Sequence, residues 1–237
     1  MTKTILQLEA VSSAYGDSQV LWDISADMPI GEAIAVIGRN GVGKSTLINT
    51  IMGVHPLSDG RIVLDGIDIT NFPAHHRAKT GLGFVPQGRH IFPHLSVLEN
   101  LEAGLSARAA DDASTVVPQF IFDLFPKLWD VRARKGGVLS GGEQQQLAIG
   151  RALAGNPKVL LLDEPTEGIQ PNIVLQIEGA LSAVRKEMGL TVIIVEQYLD
   201  FVWRFADRYL AMDRGRVIAS GLTAEHSAED IAHLVHV

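Results

Sequence analysis

The chain has 237 residues, 46% hydrophobic and 20% charged, enough to bury one large core with room for an inserted lobe. Its net charge of -7 disfavours nucleic acid as the main partner, since phosphate backbones are met by basic faces. There is no cysteine, which excludes disulfides, and no apolar stretch near the roughly 20 residues a membrane-spanning helix needs, which leaves any membrane role to partners.

Met1–Ala10 shows no basic segment followed by an apolar run, so no secretory leader is expected there. Residues 1 to about 70 read as strands and turns: Ile5–Leu8, then Ala33–Ile37, then Arg61–Leu64 with the turn pair Asp65-Gly66. One helix interrupts them. It opens at Lys44, carries Leu47, Ile48, Ile51 and Met52 at helical spacing, and stops at Gly53. Residues from about 90 to 155 read as mainly helical, with a loop-like stretch over Ala107–Ser114. Strands and helices then alternate: Val159–Leu162, Ile173–Glu187, Thr191–Val195 and Leu199–Ala206. That alternation predicts an α/β fold with a mostly parallel sheet wrapped by helices, and a helical lobe inserted into it.

Three segments carry chemistry. Gly38-Arg39-Asn40-Gly41-Val42-Gly43-Lys44-Ser45 fits the phosphate-loop pattern, with an apolar strand before it and a helix after it. The glycines let the backbone curl so that N–H groups face phosphate oxygens, and the helix adds the positive end of its dipole. Lys44 is expected to reach the β- and γ-phosphates and the Ser45 hydroxyl to ligate Mg²⁺, with Thr46 completing the contact set. Alone, the loop indicates a nucleoside triphosphate and no more. Second, Val159–Leu162 ends in Asp163 and Glu164, carboxylates that emerge beside such a loop when the strand is buried and parallel. Asp163 would hold Mg²⁺ through water, and Glu164 would orient the attacking water. Third, Leu139-Ser140-Gly141-Gly142-Glu143-Gln144 opens a helix over Glu143–Leu153 with a second anion-seeking start, which suggests an ATP supplied by another copy of the chain. Ser140 as a plain helix cap is the simpler alternative, and leaves the glycine pair unexplained.

With these motifs in this order, the chain resembles the ATP-binding subunits of ABC transporters over essentially its whole length. The resemblance implies a P-loop NTPase core over about 1–86 and 156–237 that includes an antiparallel β subdomain, with a helical signature subdomain over about 87–155, in a single domain of 1–237. It implies that Gln87 links the ATP site and its metal to the helical lobe and the membrane partner. It also places Tyr15 as the aromatic that stacks on adenine, although a half-buried strand residue is the alternative there. Ser140, Gly141, Gly142 and Glu143 would meet the nucleotide of the opposite subunit. Two positions depart from the family. Gln197, in Glu196-Gln197, stands where a histidine usually touches the γ-phosphate, and it can donate a hydrogen bond but carry no proton charge. Gln170 stands where an aspartate usually crosses the dimer.

The Glu-Gln pair is similar to the importer branch for branched-chain amino acids, amides and urea. Residues Thr166–Pro171, Gly88-Arg89 and Gln144-Gln145-Gln146 most resemble the urea-importer ATPase, with branched-chain amino acids as the alternative. The resemblance further implies ATP and Mg²⁺ as cofactors, two permease subunits and a solute-binding protein as partners, and an ATP-dependent homodimer or heterodimer. The expected location is peripheral, on the cytoplasmic face of the bacterial inner membrane. Ile91, Phe92, Leu95, Val97 and Leu98 would line the groove for a membrane-subunit helix, or pack the core. An ABC ATPase acting on DNA or ribosomes is disfavoured by the absence of sustained heptads, zinc cysteines and a second ATP unit. A regulatory subunit that binds ATP without hydrolysis is disfavoured by the intact Lys44, Ser45, Asp163 and Glu164. His75, His76 and His90 lack metal-site spacing and read as surface or contact residues.

Overall fold

The computed structural model describes residues 3–109 and 114–235. The chain begins with β1 (Thr4–Tyr15), β2 (Ser18–Pro29), β3 (Ala33–Ile37), α1 (Lys44–Met52), β4 (Asp59–Leu64), β5 (Ile67–Asp68), α2 (Ala74–Thr80) and β6 (Leu82–Val85). A helical stretch follows with α3 (Val97–Gly104), α4 (Gln119–Leu124), α5 (Pro126–Asp130) and α6 (Gly141–Ala154). The remainder is β7 (Val159–Asp163), α7 (Pro171–Met188), β8 (Thr191–Val195), α8 (Leu199–Phe205), β9 (Arg208–Asp213), β10 (Arg216–Leu222) and α9 (Ala228–Val235).

The strands form two sheets. One is antiparallel in the order β2-β1-β4-β5; the other runs β10-β9-β3-β8-β7-β6 and is parallel apart from β10. Every residue of β3, β7 and β8 is buried, as expected of apolar strands covered on both faces. Their alternating side chains feed two cores. Leu160, Leu162, Val192 and Ile194 pack towards the helices, with Leu147 of α6 and Ile177 of α7; Leu161, Ile193, Val195 and Val36 pack with Leu47 of α1 and the antiparallel sheet.

Helix α1 is fixed at its far end by a buried arginine. Arg77 donates to the carbonyls of Thr50 and Ile51 at the end of that helix, and to those of Phe72 and Thr70 beside it. The guanidinium thus meets carbonyls that a helix terminus leaves without intrahelical partners. Gly53 ends the helix at φ 78°, its N–H bonding back to Asn49 and Thr50.

The sequence expectations hold for α1, with its stop at Gly53, and for the alternation from β7 onward. Several boundaries differ, among them these. Helix α6 starts two residues earlier, at Gly141; α8 ends at Phe205 because the Ala206 backbone is already extended; and Ala107 closes a short 3-10 turn, Leu105–Ala107. Of the expected Ala107–Ser114 loop, residues 110–113 lie outside the described residues. The register Val36↔Val195 and Asp163↔Val195 sets the carboxyl ends of β3, β8 and β7 side by side. In an open α/β sheet that edge is where ligands bind.

Candidate active site

The loop leaving β3 is shaped by three glycines. Gly38 lies at φ 150°, and a Cβ there would stand 2.4 Å from the Met212 carbonyl of β9, so only glycine lets the chain pass. Gly41 at φ 82° and Gly43 at φ 108° turn it back into α1, in conformations that side-chain-bearing residues rarely adopt. Lys44 is buried, and its Nζ donates to the carbonyls of Gly38 (2.7 Å) and Arg39 (2.9 Å), which draws the loop around the ammonium. Burial lowers the Lys44 pKa, opposed by the carboxylates of Glu164, Asp163 and Glu196. Ser45 Oγ donates to Asp163 Oδ1 at 3.1 Å. Burial raises the Asp163 pKa, the Ser45 bond opposing it and Glu164 adding to it. Thr46 is buried in the first turn of α1, while Arg39 and Asn40 are exposed at the loop tip.

Glu164 follows β7 at φ 47°, a left-handed conformation, with its N–H bonded to the Val195 carbonyl. Two amides grip its carboxylate: Gln197 Nε2 reaches one oxygen at 2.7 Å and Gln87 Nε2 the other at 3.1 Å. The same Gln87 nitrogen reaches Glu167 Oε2 at 2.9 Å. A cleft of about 590 Å³ opens here, lined among others by Gly41, Lys44, Ser45, Gln87, Glu164 and Gln197.

The residues fit a magnesium nucleotide. The glycine cradle has open space where a Cβ on Gly41 would stand, Lys44 supplies a cation, and the Ser45–Asp163 pair is a hard oxygen set of the kind Mg²⁺ takes. When bound, the metal neutralises charge on the phosphate oxygens. Glu164, with both oxygens held by neutral amides, keeps lone pairs free to accept a further hydrogen bond, as from a water. Gln197 acts on that carboxylate as a donor. Gln197→Ala should therefore lower kcat by roughly tenfold with little change in ATP affinity; steady-state ATPase assays beside binding measurements check this, and an unchanged rate would make Gln197 a bystander.

Glu196 beside it is buried and accepts from Thr166 N (3.1 Å) and Thr166 Oγ1 (2.7 Å), tying the end of β8 to the loop after Glu164. Burial raises its pKa above the ordinary 4.5, with the hydrogen bonds from Thr166 opposing. Between 4.5 and the raised value the folded chain holds a proton that the unfolded chain has lost, so stability falls as pH rises through that window. Glu196→Gln should flatten this dependence, measured as guanidinium unfolding midpoints at stepped pH.

Other expected contacts lie outside the cleft lining. Tyr15 is 54% exposed, contrary to the half-buried alternative, and its ring stacks on His55 at 3.9 Å and 26°. None of Ser140, Gly141, Gly142 and Glu143 lines the cleft. They form an exposed to half-buried helix start closed by a capping box, in which Ser140 Oγ accepts from Glu143 N and the Glu143 carboxylate reaches back to Ser140 N. Gln170 caps α7 by position, with no side-chain cap bond. Val97 is fully buried and belongs to the core, whereas Phe92 and Leu95 are exposed. Among the described residues no group of three or more His, Cys, Asp and Glu side chains is placed to hold a metal ion. Val20, Glu167 and Tyr198 line the cleft without having been expected there. For Glu167 a signal existed: three residues past Glu164, it closes a turn whose N–H bonds back to the Glu164 carbonyl.

The comparisons agree with this geometry. The ABC transporter family model matches residues 21–167. A high-affinity branched-chain amino acid transport ATP-binding protein, BraG of Pseudomonas aeruginosa, is 39% identical over 90% of this chain and 91% of its own. A probable branched-chain amino acid transport ATP-binding protein, LivF of Archaeoglobus fulgidus, is 34% identical over 93% of each. Among solved structures, a dimeric post-hydrolysis ATP-binding cassette bound to ADP and Pi superposes with a TM-score of 0.83 at 27% identity, covering 92% of this chain and 99% of that one. The chain belongs to the ABC transporter family as an ATP-binding subunit, an ATPase that uses MgATP to drive transport.

Proposed function

We propose that the chain energises an importer of branched-chain amino acids, working as one half of a head-to-tail pair. The observation that carries the pairing is the separation of two nucleotide-seeking elements in one chain. The Lys44 loop opens into the cleft, while the exposed Ser140 start of α6 lies outside it. Each copy then offers Ser140, Gly141 and Gly142 to the ATP held by its partner, whether an identical chain or a related ATPase subunit. Lys44 and the loop hold the phosphates, Ser45, Asp163 and Gln87 the metal, Tyr15 the adenine, and Glu164 the water. Opening and closing of the pair is transmitted to membrane subunits through the surface that exposes Phe92 and Leu95.

No described helix is long and apolar enough to cross a membrane, which fits a peripheral subunit at the cytoplasmic face with two permeases and a solute-binding protein. We take residues 87–155 as the helical subdomain and the remainder as the core. Branched-chain amino acids replace urea as the preferred solute because the relatives named above carry that description. The likeness of residues 166–171 and Gly88-Arg89 to the urea branch makes urea the second arm of the test. A strain lacking this chain should lose uptake of labelled leucine, regained with the intact chain and not with Glu164→Gln. Loss of urea uptake with leucine uptake intact would overturn the preferred solute.

A further inference from the structure

The turn after Gln87 joins three parts of the site. Gly88, Arg89 and His90 lie at φ 79°, 69° and 44°, a run of left-handed residues of which two carry side chains. Such a backbone persists only where its surroundings hold it. Helix α6 holds this one from both ends. Near its C-terminal end, Arg151 Nη2 donates to the His90 carbonyl at 2.8 Å, while its guanidinium lies 5.0 Å from the centroid of the Phe92 ring. At its N-terminal end, the Arg89 guanidinium packs on Gly141, where a Cβ would stand 2.9 Å from Arg89 Nη1. Arg89 Nη2 also reaches the Glu167 carbonyl at 3.4 Å and lies 3.9 Å from the Cβ position of Gly168. Glu167 is thus met twice by one turn: its carboxylate by Gln87 and its carbonyl by Arg89.

We propose that Arg89 is a positioning residue that transmits the state of the Glu164–Gly168 loop to the start of α6, so that nucleotide at one site sets the signature helix offered to the other. The planar guanidinium suits this, since one face can lie on glycine while an edge bonds a carbonyl. A change at Glu164 that moves Gln87 or Glu167 shifts Arg89, and with it the backbone of Gly141. This rests on the nucleotide site described above.

The test is hydrogen exchange of residues 141–146, with and without MgATP, at concentrations where light scattering shows a monomer. Both chains keep Glu164 and its amide bonds, and a non-hydrolysable ATP analogue with magnesium (AMP-PNP) stands in for MgATP in the exchange and binding measurements so that the nucleotide persists. With Arg89 present, MgATP should change exchange there by at least about fivefold. Arg89→Ala should bind MgATP within about threefold of the parent affinity yet lose the response, and Arg89→Lys should keep part of it. In the assembled transporter hydrolysing MgATP, Arg89→Ala should lower kcat while KM stays unchanged. Bound MgATP with an equal response in Arg89→Ala, or with no response in either chain, overturns the inference alone. Failure of the Arg89 chain to bind MgATP overturns the nucleotide site and the inference together.

Discussion

Glu164→Gln should bind MgATP within about threefold of the parent and hydrolyse it roughly 10²–10⁴ times more slowly. The expectation follows from the two amides. Both Gln87 and Gln197 donate to Glu164, one to each oxygen. An amide at residue 164 has one acceptor oxygen and one NH₂, so one of those donors would face a donor. The variant loses the carboxylate proposed to orient water and also the grip that aligned it. Its pair with a partner subunit should persist longer in ATP, since the step that opens the pair is slowed. Steady-state ATPase assays, equilibrium binding of labelled ATP and size-exclusion chromatography in ATP read the three effects separately. Turnover at the parent rate would remove Glu164 from the mechanism.

Lys44→Ala should weaken MgATP binding by about 10²–10³, since charge-assisted hydrogen bonds contribute about 1.5–3 kcal/mol each. The same change frees the carbonyls of Gly38 and Arg39, which now converge on the ammonium, so the loop should open as well. Burial that lowers the Lys44 pKa means the cation stands partly out of water, where its attraction to phosphate is strongest. Lys44→Arg should not restore binding, because a planar fork does not fit a pocket shaped around an ammonium. Calorimetric titration with MgATP, beside circular dichroism to verify folding, decides the matter. An unchanged affinity would mean that the loop binds through its backbone alone.

The chemistry was legible in the sequence where it is local. The Lys44 loop and the Asp163-Glu164 strand end are each a handful of consecutive residues, and the Ser45–Asp163 bond brings them together; the Ser140 helix start is as local, and the structure shows the capping box that Ser-x-x-Glu announces. What escaped is what depends on distant partners. The bond from Gln87 to Glu167 spans 80 positions and that from Gln197 to Glu164 spans 33, and neither periodicity nor propensity reports such meetings. The stack of Tyr15 on His55 joins a strand end to the turn beyond α1, and was invisible for the same reason. Strand β6 escaped because Leu82–Val85 is four residues long and contains Gly83, and β2 because its buried positions are interrupted by bulges in its pairing with β1. The β9–β10 hairpin did leave a trace, the Arg214-Gly215 turn between two apolar runs, both left-handed at φ 44° and 74°. The transported solute stayed illegible because neither the fold nor the ATP chemistry carries information about it.

The place of β3 in its sheet has a consequence for synthesis on the ribosome. Both neighbours of this strand, β8 and β9, lie far downstream, so Ala33–Ile37 finds no edge to pair with until residues 191–213 have emerged. At about 5–20 residues per second that interval lasts on the order of ten seconds or more. Throughout it, an apolar strand bearing the phosphate loop waits with bare backbone, open to misjoining. Nascent chains halted before residue 191 should therefore be protease-sensitive at Ala33–Ile37 and the phosphate loop, even where the locally paired strands β1, β2 and β4 have formed.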